Sequence, residues 1–154
     1  MEVIPRPTNA AYHGSSFAWW VLLALGALNL FRGSIHLFAS DGGAGQIAGI
    51  DLLQARDVIV FLFAVMGLQQ LAFGAIEFIV ALRYRAFVPL LLGLETLKQG
   101  VAVIVVWFYK PLPVEAPGKY GAPVLLLVLA LALFMSLRSR TRVGAGATPT
   151  LENG

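Results

Sequence analysis

The chain has 154 residues, of which 58% are hydrophobic and only 12% charged, with a formal net charge of +3 and no cysteine. Because the apolar residues fall in long runs, this composition excludes an ordinary soluble domain of the same size. Disulfides, thiolate metal sites and thiol catalysis are excluded with the cysteines, and the small basic excess is explained by contact with anionic headgroups rather than by nucleic acid.

Residues 1–16 carry Pro5, Pro7, Asn9 and Gly14 without hydrophobic periodicity, and read as a short cytoplasmic tail. The first apolar stretch, residues 17–38, is long enough to cross a hydrocarbon layer of about 30 Å at about 1.5 Å per residue. Phe38-Ala39-Ser40 faintly resembles a signal-peptidase site, but the stretch is too long for a signal core and its upstream flank holds only Glu2 and Arg6 as charges, so the span is expected to stay attached. The following segment, DGGAGQIAGIDLLQ from Asp41, pairs a glycine-rich turn with Ile47, Ile50, Leu52 and Leu53, which predicts a short surface-lying turn of helix.

A second span covers residues 57–82 and a third residues 87–109. The tight link at Arg83 to Arg85 predicts that these two form an antiparallel hairpin. KPLPVEAPGKYGAP from Lys110 holds four prolines, which preclude a regular helix and stiffen the loop, and Pro123 suits an early position in the fourth span, residues 121–137. Residues 143–154 read as a flexible cytoplasmic tail. Continuous runs such as VLLLVLALALF from Val124 favour helices over barrel strands, so the expected fold is all-α: a polytopic membrane protein whose residues 17–142 form one four-helix antiparallel bundle.

Charges in the short flanks set the orientation. One side collects Arg6, Arg83, Arg85, Arg138, Arg140 and Arg142, while the other has Arg56, Lys110 and Lys119 offset by Asp41, Asp51, Asp57 and Glu115. Both termini are therefore expected in the cytoplasm, with Trp19, Trp20 and Tyr84 at that interface and Trp107, Tyr109 and Tyr120 at the outer one.

Ionisable and amide side chains inside the spans are the candidate site. At about 100° per residue, Asn29, Arg32 and His36 gather on one side of the first span together with Gly26 and Gly33, a narrow polar face that another helix can approach closely. Arg32 snorkelling outward and His36 resting at the interface is the structural alternative. On the second span Gln70 and Glu77 share a side with Gly67 and Gly74, with Glu77 near enough to the cytoplasmic end to pair with Arg83 or the terminal arginines. The third span places Glu95 near mid-depth, with Lys98 and Gln99 following on the same face. A charge at that depth costs at least about 2.5 kcal/mol unless paired or hydrated, so Glu95 is expected to pair with Lys98, or with Arg32 if the first and third helices adjoin. The fourth span has no internal polar group before Ser136 and reads as a lipid-facing support or an oligomer contact.

Gly43-Ala44-Gly45-Gln46-Ile47-Ala48 has the spacing of a dinucleotide-binding turn but no preceding strand, and two histidines cannot furnish a bis-histidine haem or a zinc site in this bundle, so no metal and no resident cofactor are expected. Ser34, His36 and Asp41 do not make a triad, since Ser34 and His36 point to different sides of the helix.

The four-span layout, the Arg32 to His36 end of the first span and the IAGIDL segment that follows, Ile47 to Leu52, resemble small bacterial membrane proteins of the DoxX-like type. The resemblance implies a multi-pass protein of a bacterial plasma membrane. The thiol chemistry sometimes implied for such relatives is not carried over to a chain without cysteine.

The expectation is a non-enzymatic bundle whose polar cluster, Asn29, Arg32, His36, Gln70, Glu77, Glu95, Lys98 and Gln99, binds a lipophilic small molecule such as a quinone or lipid. Two alternatives are an accessory subunit that docks through its fourth helix, as a homo-oligomer or in a larger membrane complex, and a small membrane enzyme or proton-coupled carrier using Glu95 and His36.

Overall fold

The computed structural model describes residues 4–111 and 114–138; Arg140, Arg142 and the tail 143–154 lie outside the described residues. Four long helices are present: α1, Ser16–Phe38; α2, Arg56–Arg83; α3, Val88–Ile104; and α4, Pro117–Leu137. A 3-10 turn, Arg85–Phe87, leads into α3 and a π turn, Val105–Tyr109, prolongs it, so that Arg85–Tyr109 forms one helical rod. All four rods are long and apolar enough to span a membrane, and the described residues contain no strand.

Local chemistry sets the ends. Ser15 starts α1 by accepting the Phe17 N–H at its hydroxyl. Pro117 opens α4 at a position where its missing N–H costs nothing, which is why the helix begins before the stretch expected from residue 121. Pro123 lies one turn further in and leaves the Lys119 carbonyl without its helical donor; the Trp107 indole N–H fills that place at 3.3 Å.

The α1–α2 connection is not a helix. Asp41 accepts the Gly43 and Gln46 N–H groups at 2.8 and 2.9 Å, folding the chain into successive turns. Gly42 and Gly43, at φ of 61° and 76°, occupy the left-handed backbone region that an apolar helical turn cannot use. The expected surface-lying helical turn is thus replaced by a side-chain-stapled loop.

α1 and α2 are antiparallel and meet backbone to backbone. A methyl group on Gly33 would sit 2.7 Å from the Gly67 carbonyl oxygen, and one on Gly74 2.9 Å from that of Gly26. The narrow glycine faces foreseen on the two spans are each other's partner. In lipid, where burying a leucine gains little over leaving it among acyl chains, close dispersion contact of this kind is what holds helices together.

α3 and α4 form the second antiparallel pair, whereas α2 and α3, despite their short link, touch at only a few positions. The expected hairpin of the second and third spans is therefore corrected: the paired helices are α1 with α2 and α3 with α4. The pairs join through Ala18, Leu22, Leu25, Ala81, Val88, Leu92, Leu129 and Ala132. Every one of these residues belongs to the half of its helix nearest the N-terminal tail. Toward the opposite, loop end, α3 buries nothing beyond Glu95 and α4 nothing before Leu129. Buried contact between the two helical pairs is thus concentrated at the tail end and thins toward the loop end, a wedge of declining packing.

The N-terminal segment secures the closed end. Its Thr8 N–H donates to the Arg83 carbonyl at 3.0 Å and the Asn9 amide to that of Leu82 at 2.8 Å, while the Asn9 side-chain oxygen and the Thr8 hydroxyl accept the Arg85 and Ala86 N–H groups. Two residues thus satisfy carbonyls at the end of α2 and amides that open the next helical rod. The segment expected to be a short tail without periodicity also acts as a clasp.

Candidate functional site

The apex of the wedge is polar. Asn29 continues the α1 stripe formed by Ala18, Leu22 and Leu25, and its amide donates to Glu77 Oε2 at 2.8 Å. Glu77 is 1% exposed, and its other oxygen, Oε1, is buried without a hydrogen-bond donor among the described residues. From α3, Glu95 and Lys98 approach closely enough for their charges to bear on Glu77.

Glu95 and Lys98, one turn apart, form an ion pair in which Nζ lies 2.6 Å from each carboxylate oxygen. Its two members differ in surroundings: the Glu95 side chain is 7% exposed and that of Lys98 53%. The ammonium also lies 5.4 Å from the centroid of the Phe73 ring on α2, across the seam where α2 and α3 touch least. The apex therefore holds two buried carboxyl groups, one amide and one half-exposed cation.

The other candidates disperse. Arg32 lies on the α1 stripe beyond Asn29 and is exposed, where the wedge has opened; Glu95 is paired with Lys98 and not with it. Gln99 turns to α4, donating to the Ala122 carbonyl at 3.0 Å, so it braces the α3–α4 pair and gives the fourth helix a polar contact that its sequence does not show. His36 sits at the loop end, its Nδ1 2.6 Å from the Gly42 carbonyl and its ring edge-on to Phe63. Gln70 is partly buried, and its side-chain oxygen has no hydrogen-bond partner among the described residues. Glu77 pairs with neither Arg83 nor another described arginine; burial beside α1 and the reach of Asn29 direct it inward.

At the ends of the bundle, sequence reasoning missed the Thr8–Asn9 clasp and the Trp107 bond to Lys119. Each had a signal: two side chains of the helix-capping type ahead of the first span, and a proline that frees the carbonyl four residues before it. In the α1–α2 loop the Gln46 and Gly43 amides hold the Asp41 carboxyl below the usual carboxylate range. Before α4, Lys119 and the Tyr120 hydroxyl do the same for Glu115.

No protein-family model, curated protein or solved structure matches this chain. Fold and site together define a class only: a four-helix chain of membrane-spanning dimensions with an ionisable cluster where its two helical pairs part.

Proposed function

We propose that the chain is a multi-pass protein of a bacterial-type plasma membrane, with both termini in the cytoplasm, and that the wedge binds a lipophilic small molecule, a lipid or a quinone, with its polar head at Asn29, Glu77, Glu95 and Lys98. The carrying observation is the half-exposed Lys98 beside two buried carboxyl groups. Left facing acyl chains, such a cation is costly, and a bound molecule that covers it from the α2–α3 side removes the cost. Arg32, further along the same opening, would meet the ligand rather than the protein.

The charges support the orientation. Arg6, Arg83, Arg85 and Arg138 stand at the tail end, whereas at the loop end Lys119 is paired with Glu115 at 2.8 Å and Arg56 lies 3.8 Å from Asp57. With no native cysteine to interfere, a cysteine introduced at Gln46 is expected to react with an impermeant maleimide on intact cells, and one at Ala10 only after lysis; the opposite pattern overturns the orientation.

Native mass spectrometry of gently extracted protein tests the binding reading. A retained lipid or quinone is expected, and protein that carries nothing counts against it. A second reading rests on the exposed apolar residues Val124, Leu127 and Leu131 of α4: the chain is an accessory subunit, and a partner helix covers the fourth helix. Co-purification of another polypeptide at fixed stoichiometry favours that reading.

A further inference from the structure

The hydrogen-bonding balance at the apex points to what kind of head group it takes. Glu95 uses both oxygens on Lys98, each at 2.6 Å, so the one cation there is committed. Asn29 provides a single donor, to Glu77 Oε2. Glu77 Oε1 then remains buried with no donor among the described residues, beside a second carboxyl group with which it must either share a proton or divide a cation. A buried acceptor left in this state costs more than the average hydrogen bond gains, and more still for a carboxylate. With both carboxyl groups ionised the site lacks one donor and one positive charge, which either a proton shared between them or a bound cation supplies.

Resting on the reading that the wedge binds a lipophilic molecule, we propose that the molecule is an ammonium amphiphile, whose charged nitrogen is held between Glu77 Oε1 and the Glu95 carboxylate while its alkyl chain lies between α2 and α3. An anionic head finds no free cation beside Glu77, since Lys98 is paired and Arg32 lies further along the opening, and a quinone offers acceptors where the ionised carboxyl groups need a donor. Lys98, on a flexible four-carbon stem and already half exposed, is the group that shifts to admit the ligand's head while the ligand's chain covers it. Glu77 cannot move in the same way, because Asn29 holds it against a glycine-packed interface.

The test is calorimetric titration of the purified protein, in uncharged maltoside micelles, with dodecylammonium, dodecanoate and dodecanol, which share a chain and differ in the head. Dodecylammonium is expected to bind at least about tenfold more tightly than either of the others. Glu77→Gln, which keeps the shape and removes the charge, is expected to abolish that preference. Glu95→Gln, which releases Lys98, is expected to turn it toward dodecanoate, and this second variant decides the matter if the first does not fold. Equal or tighter binding of dodecanoate or dodecanol to the unmodified protein overturns the ammonium assignment and leaves the lipophilic-ligand reading standing. Binding of none of the three overturns both. If dodecylammonium displaces co-purified phosphatidylethanolamine, the natural ammonium belongs to a lipid; if it binds without displacing one, it belongs to a free amine.

Discussion

The two helical pairs are held together by different means. Between α1 and α2, glycines 26, 33, 67 and 74 bring the backbones so close that an added methyl group has nowhere to go. Between α3 and α4, Gly93 and Gly100 face leucine methyls at 4.0 and 3.9 Å, ordinary contact with room for a methyl group. Backbone cannot change rotamer and leucine can, so the first pair is a fixed wall and the second the adjustable one. The polar apex follows the same division: Glu77 and Asn29 belong to the fixed wall, Glu95 and Lys98 to the adjustable one.

The largest effect expected is at the wall. Gly67→Val should disrupt the α1–α2 pair, costing about 3 kcal/mol or more by overpacking against backbone, whereas Gly100→Ala should be nearly neutral. Thermal unfolding in detergent compares them, and equal losses would show that the pairs do not differ. Next, Asn29→Ala takes the only described donor from a buried carboxylate and is expected to cost about 1–3 kcal/mol, measured by the same unfolding. A loss no greater than that of an exposed leucine replaced by alanine would mean that Glu77 is not fixed by Asn29. A smaller change, about 1 kcal/mol, is expected for Trp107→Phe, which reopens the Lys119 carbonyl; combining it with Pro123→Ala should recover part of the loss, because the helical donor returns.

The smallest effect is a local one in the α1–α2 loop. Because backbone donors lower the folded-state affinity of Asp41 for protons, their stabilisation is complete above the ordinary carboxylate range and is lost as pH falls through the depressed value. The protection of the Gly43 and Gln46 amides, relative to their intrinsic exchange rates, should therefore fall only in acid. Protection that persists there would assign the loop's order to its glycines instead.

Much of the fold was legible because apolar length is a local property. Four apolar helices lie within a few residues of the bounds expected for the spans, and the glycine faces of the first two could be read from spacing alone. Which spans pair was not legible from loop length. The link from Arg83 to Val88 is short, yet the glycines commit α2 to α1, and the helices pair along the closest surface rather than with the nearest neighbour in sequence. At the site, Glu95 with Lys98 was readable as a one-turn pair, while Glu77 and Gln99 were not. Their partners, a side chain 48 residues away and a backbone carbonyl on α4, leave no periodic trace.

The clasp made by Thr8 and Asn9 joins chain segments separated by more than 70 residues. During synthesis from the N-terminus those two residues must wait, unbonded, until the second span is complete and the third has begun. Closure of that end therefore requires that two long helices are already made, and a chain halted earlier would carry the latch unfilled.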